Sequence, residues 1–138
     1  MKYSILSLVI LFSGYVIGQN DQANPPKIGV KVPLNSSVEM KGVTIKFTEV
    51  VEDSRCPTNV SCIWEGRAIV KAEVTAKGKT NEKTLLFGAT QPGEKENSNL
   101  YSSSEFAING LTLNPYPTSE NSGKVNNYVL VICEEKNK

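Results

Sequence analysis

The side chains able to do chemistry are concentrated between Val50 and Val70, in the string VVEDSRCPTNVSCIWEGRAIV. It holds the carboxylates Glu52, Asp53 and Glu65, the guanidiniums Arg55 and Arg67, the thiols Cys56 and Cys62, the amide of Asn59 and the only tryptophan, Trp64. With Glu49 just upstream, the carboxylates Glu49, Glu52, Asp53 and Glu65 offer hard oxygen ligands of the kind calcium prefers. Their spacing matches no EF-hand loop. A carboxylate pair such as Glu52 and Glu65 is the minimum equipment for glycoside hydrolysis, but nothing in so short a chain signals a substrate groove.

The chain contains no histidine. That removes imidazole as general base, proton shuttle and metal ligand, and with it the Ser-His-Asp, Cys-His and His-zinc chemistries. Two thiols without a second pair or a histidine cannot complete a structural zinc shell. The string Gly78-Lys79-Thr80 is not a phosphate loop, because Glu73 stands where the first glycine is required and strand periodicity follows where a helix is needed. No cofactor is therefore expected.

These residues must be positioned by a single small domain, since 138 residues leave little room for a second core. Fifteen Lys and Arg against 14 Asp and Glu give a net charge of +1, which provides no footprint for nucleic acid. Lys2 followed by the apolar run Ile5 to Ile17 and small Gly18 reads as a signal peptide over residues 1–18, cleaved before Gln19. The run is well short of the roughly 20 residues a spanning helix needs, so no membrane span is expected after cleavage. Residues 19–27 (QNDQANPPK) read as a flexible spacer, and 28–138 as the domain. Export, to the periplasm or the outside, places Cys56 and Cys62 in an oxidising compartment and predicts that they pair. Closing so short a loop stabilises the fold by only roughly 2 kcal/mol, so its main effect is on loop shape. Cys133, next to the apolar run Tyr128 to Ile132, reads as a small buried hydrophobe.

The apolar pattern of the domain has period two. Val43, Ile45 and Phe47 share a face, and the phase slip at Glu49 before Val50 and Val51 predicts a β-bulge. Val38 and Met40 alternate upstream, with Lys41-Gly42 as a hairpin turn. From Arg67 to Lys77, residues Ala68, Val70, Ala72, Val74 and Ala76 form one small apolar face, and a turn at Lys77-Gly78-Lys79 leads to a strand around Thr84 to Phe87. Gly88 to Glu105 shows no pattern and reads as a surface loop. Strands follow around Ala107 to Asn114, with Leu111 and Leu113 in phase, and from Tyr128 to Cys133, whose unbroken apolar character predicts a central position. The sum is an all-β fold of about six to eight strands, an antiparallel β-sandwich with a small barrel as the alternative.

The strings Glu52-Asp53-Ser54-Arg55-Cys56-Pro57 and Cys62-Ile63-Trp64-Glu65-Gly66, with Ala68 after them, resemble the signature of a family of small, uncharacterised exported bacterial proteins. That signature reads EDSRCP followed by CVWAG and an Ala-led strand, and this chain departs from it mainly at Glu65. Leu111 to Pro117 (LTLNPYP) is similar to a second, weaker pattern of the family. The resemblance implies a secreted or periplasmic β domain and brings no activity, substrate or catalytic residue with it.

Two roles compete for the loop. In the structural one, Trp64 shares the parity of Ala68 and Val70, lies over the small alanine face as an anchor, Arg55 pairs with Glu52 or Asp53, and Gly66 permits close backbone approach. In the functional one, Glu52, Asp53, Arg55, Asn59, Glu65 and Arg67 form a disulfide-fixed surface for a protein or glycan partner. The expectation is a monomeric, non-catalytic binding or envelope-associated module.

Overall fold

The computed structural model describes residues 26–137. The segment read as a signal peptide and all but the last two residues of the spacer lie outside the described residues. Eight strands form: β1 (Gly29–Pro33), β2 (Ser37–Met40), β3 (Val43–Asp53), β4 (Arg67–Ala76), β5 (Lys79–Gly88), β6 (Asn99–Ser102), β7 (Phe106–Asn114) and β8 (Val129–Lys136). They make two antiparallel four-stranded sheets, ordered β1-β8-β7-β6 and β2-β3-β4-β5. The sheets stay separate, so the fold is a sandwich and not a closed barrel. Among the described residues no helix is long and apolar enough to cross a membrane.

The period-two pattern translates directly into the core. Val43, Ile45 and Phe47 of β3 point inward beside Ala76, Val74 and Ala72 of β4, their partners in register. Large and small side chains thereby alternate across the pair and fill the layer. From the other sheet Val32, Leu100, Ile108, Leu113, Leu130 and Ile132, all fully buried, close the sandwich. The run Tyr128 to Cys133 supplies most of β8, which lies between β1 and β7 as its apolar character predicts. Cys133 is buried and unpaired among the described residues, and burial pushes its thiol pKa up, as suits a packing role.

The hairpin turns fall where the Lys-Gly pairs stand. Met40 pairs with Val43 and Ala76 with Lys79, leaving two-residue loops at Lys41-Gly42 and Lys77-Gly78. Both residues of each loop have positive φ, from 50° to 76°, the conformation whose twist matches that of the flanking strands. β3 carries not one bulge but two, with register shifts between Phe47 and Glu49 and between Val50 and Glu52. The first is the expected one. The second leaves Val51 half exposed and returns Asp53 to the buried side of the strand.

Three expectations need correction. The stretch read as a patternless loop contains β6, whose Leu100 is fully buried against the core. β5 begins at Lys79, five residues before the apolar part that identified it, because its first half is a polar strand paired to β4. Leu111 does not share a face with Leu113: a register shift between Gly110 and Thr112 turns Leu111 outward. Replacing Leu100→Ala is expected to lower the unfolding free energy by about 2–5 kcal/mol. Urea unfolding measures this, and a loss under half a kcal/mol would show that β6 is not part of the core.

Candidate functional site: the disulfide loop between β3 and β4

Residues 54–66 connect two central-sheet strands and project from one end of the sandwich. The β3–β4 ladder continues into the loop, with Ser54 N–H bonded to Arg67 O at 2.8 Å and Cys56 N–H to Glu65 O at 2.9 Å. Gly66 makes this possible. Its φ is +74°, and a Cβ there would sit 1.9 Å from the carbonyl oxygen of Ser54, so any side chain would force the two arms apart. The close approach is to Ser54 and not to the tryptophan.

Arg55 is the base of the loop. Its guanidinium is buried and grips Asp53 side-on through one edge, Nε to Oδ1 at 2.7 Å and Nη2 to Oδ2 at 2.8 Å. The remaining reach goes to the opposite sheet: Nη1 donates to Leu113 O at 2.7 Å and Nη2 to Pro115 O at 3.1 Å. The ring of Tyr116 lies 4.6 Å from the guanidinium carbon. Tyr128, from the residue just before β8, donates its hydroxyl to Asp53 Oδ2 at 3.0 Å. Burial by itself would raise the Asp53 pKa, but the hydrogen bonds and charge of Arg55, helped by Tyr128, outweigh it and hold the carboxyl below its usual value. Burial and the neighbouring carboxylate push Tyr128 up to about 12.

A second ion pair braces the flank. Arg67, also buried, bonds Glu52 through Nε and Nη2 at 3.2–3.3 Å and Glu94 through Nη1. Glu94 in turn accepts the Gln91 N–H at 2.8 Å, which ties the 88–98 segment to the same point. The hydrogen bonds from Arg67 first, and then from Ser54, lower the Glu52 pKa. Asn59 is held from the other side, accepting Ser119 N–H at 2.8 Å and donating to Ser119 Oγ at 2.6 Å. Thr58 N–H reaches Pro117 O at 3.1 Å.

Cys56 and Cys62 are joined, with 5.9 Å between their Cα atoms. A formed disulfide indicates an oxidising, non-cytoplasmic compartment. The loop turns apolar side chains outward alongside its polar ones. Val60 is half exposed, Ile63 is 109% exposed and Trp64 is 53% exposed. No protein-family model, no curated protein and no solved structure matches the chain.

The expected surface thus divides. Asp53, Arg55 and Arg67 are buried in internal pairs, Glu52 is held by Arg67, and Asn59 by Ser119, so among the six polar residues named only Glu65 stands free of a side-chain partner among the described residues. The role of Trp64 as an anchor over the alanine face is overturned: β4 begins only at Arg67, and Trp64 is half exposed. The carboxylates offered for calcium are drawn apart, Glu49 toward Lys71, Glu52 to Arg67 and Asp53 to Arg55. Among the described residues no group of three or more acidic, cysteine or histidine side chains is gathered that could hold a metal ion. The residues missed from sequence are Tyr116, Tyr128, Glu94 and Ile63. The LTLNPYP string was the available signal for the first, since it supplies both carbonyls and the ring that receive Arg55.

Asp53→Asn is expected to cost about 3 kcal/mol or more, because it leaves a buried guanidinium without its counter-charge. Chemical unfolding at neutral pH measures it, and a change below 1 kcal/mol would remove the pair from its structural role. The pH dependence follows from the two shifts. The lowered Asp53 pKa contributes stability above its unfolded value of about 3.9, and that stability is lost as pH falls through the folded value. The raised Tyr128 pKa contributes stability that is complete below about pH 10 and is lost as pH rises toward about 12. Unfolding curves of Tyr128→Phe should therefore show a shallower decline than wild type above pH 10, and parallel curves would contradict the assignment.

Proposed function

We propose that this chain is an exported, non-catalytic binding module that presents the tip of its disulfide loop to a partner. The observation that carries the reading is the exposure of Ile63 and Trp64 on a loop whose base is fixed by a disulfide, two buried arginines and a ladder of hydrogen bonds. Exposed apolar side chains on a mobile loop fold back onto the nearest apolar surface. Here the frame prevents it, so the area stays available and its ordering entropy is already spent before a partner arrives. Tryptophan is also the residue type that contributes most per contact at protein interfaces.

Export is supported by the N-terminal Lys2, Ile5–Ile17 and Gly18 pattern and by the disulfide, and the EDSRCP and CIWEG strings support membership of the small exported family they resemble. Glu52, Asp53, Arg55, Asn59 and Arg67 serve as the frame of the contact surface. Recognition shifts to Val60, Ile63 and Trp64, with Glu65 at the rim.

The test compares wild type with an Ile63→Ser/Trp64→Ser variant in capture of envelope components, after chemical cross-linking, with thermal unfolding of both proteins measured alongside. The melting temperatures should agree, since both side chains are exposed, and components captured by wild type should be absent from the variant. Identical capture by the two would end the proposal for this loop.

A further inference from the structure

Resting on the reading of the loop as a contact surface, the geometry points to a serine endopeptidase with an apolar primary pocket as the partner class, and we propose that the chain is its inhibitor, with Ile63 as the residue that enters the pocket. Three features distinguish this partner from others. The first is the main chain. Among the described residues neither the N–H nor the C=O of Ser61, Cys62, Ile63 or Trp64 makes a backbone hydrogen bond within the protein. An endopeptidase cleft grips a substrate by its main chain and reads one side chain in a pocket. A bilayer offers no such partners, and burying these groups in hydrocarbon is unfavourable.

The second feature is shape and charge. Ile63 protrudes fully, and from Cys56 to Trp64 the loop carries no charged side chain. A knob of one or two side chains suits a pocket. A stable symmetric dimer expects roughly 800 Å² per partner, more than two protruding side chains offer by themselves. Lys27 pairs with Glu135 at the far end of β8, at the pole opposite the tip.

The third feature separates an inhibitor from a substrate. Both sides of the Ile63–Trp64 peptide bond are tethered to one residue. Cys62 is joined covalently to Cys56, and Glu65 C=O accepts the Cys56 N–H at 2.9 Å. Cys56 itself follows Arg55, which is locked to both sheets. When the enzyme's serine attacks the Ile63 carbonyl carbon, its proton passes to the enzyme's base. The C–N bond breaks, the proton moves to the departing Trp64 amine, and an acyl-enzyme remains. In an ordinary substrate that amine diffuses away and water completes hydrolysis. Here the tethers keep it beside the ester, so it attacks in turn, the peptide bond reforms and the proton returns to the serine. The cycle consumes nothing, and the enzyme stays occupied.

The experiment titrates the purified domain against an elastase-type and a subtilisin-type serine endopeptidase, both of which take apolar side chains, and follows hydrolysis of a chromogenic peptide. At least one enzyme should be inhibited at near-equimolar ratio, with the domain recovered largely intact by mass spectrometry. Ile63→Glu should raise the inhibition constant about 30-fold or more, with an unchanged melting temperature. A Cys56→Ser/Cys62→Ser variant should be cut between Ile63 and Trp64 and cease to inhibit. Absence of inhibition of both enzymes overturns the inference, as does cleavage of the wild-type domain as fast as of the cysteine variant. If inhibition is absent but the Ile63→Ser/Trp64→Ser variant still loses its captured components, only the choice of partner fails. If capture is also unaffected, the binding reading fails with it.

Discussion

Arg55 holds the molecule's working end together. A guanidinium with three nitrogens meets the Asp53 carboxylate on one side and the carbonyls of Leu113 and Pro115 on the other, so a single side chain joins the end of β3 to the end of β7. The planar fork is what permits this, since an ammonium could not satisfy four oxygens in two directions. A buried ion pair of this kind adds little net stability, because desolvation offsets most of the attraction. Its effect is on uniqueness: breaking either partner strands a charge in the interior, and no alternative packing of the loop avoids that penalty. Tyr128 and Tyr116 complete the enclosure, one by hydrogen bond and one by its ring face.

The loop that grows from this base departs from the ordinary distribution of polarity by exposing its large apolar side chains. Its arginine is turned in and neutralised, Glu65 stays at the rim, and Val60, Ile63 and Trp64 are turned out. The hydrophobic effect would normally undo such an arrangement by folding Ile63 and Trp64 back against the sheet. Four restraints prevent it: the disulfide, the Cys56–Glu65 bond, the Asn59–Ser119 pair and the close approach at Gly66. The disulfide contributes little to global stability over so short a loop. Its consequence is local, since it fixes the direction in which the next two side chains leave.

The rest of the sandwich serves this end by being unremarkable elsewhere. The Lys-Gly hairpins lie at the opposite end of the β3–β4 ladder from the loop, and the core between them is built from ordinary large-small alternation. The second bulge of β3 is the exception with a purpose. Without it Asp53 would point to the outer face and could not meet Arg55 from within the sandwich.

The sequence by itself determined everything that depends on near neighbours. Period-two alternation named the inward residues of β3 and β4, the Lys-Gly pairs named both hairpins, the slip at Glu49 named a bulge, and the cysteine spacing named the disulfide. What failed were the places where distant contacts override local pattern. Leu100 gained a strand because β7 was there to pair with it, Leu111 lost its phase to a bulge, and Trp64 lies outside the alanine face because the strand starts only at Arg67. Only the tertiary structure decided which loop residues are frame and which are surface. Arg55 finds its acceptors 58 and 60 residues away, and no local property of either segment records that meeting. Of the polar residues that looked available in the sequence, all but Glu65 are held in such contacts, and Ile63 and Trp64 are left facing out.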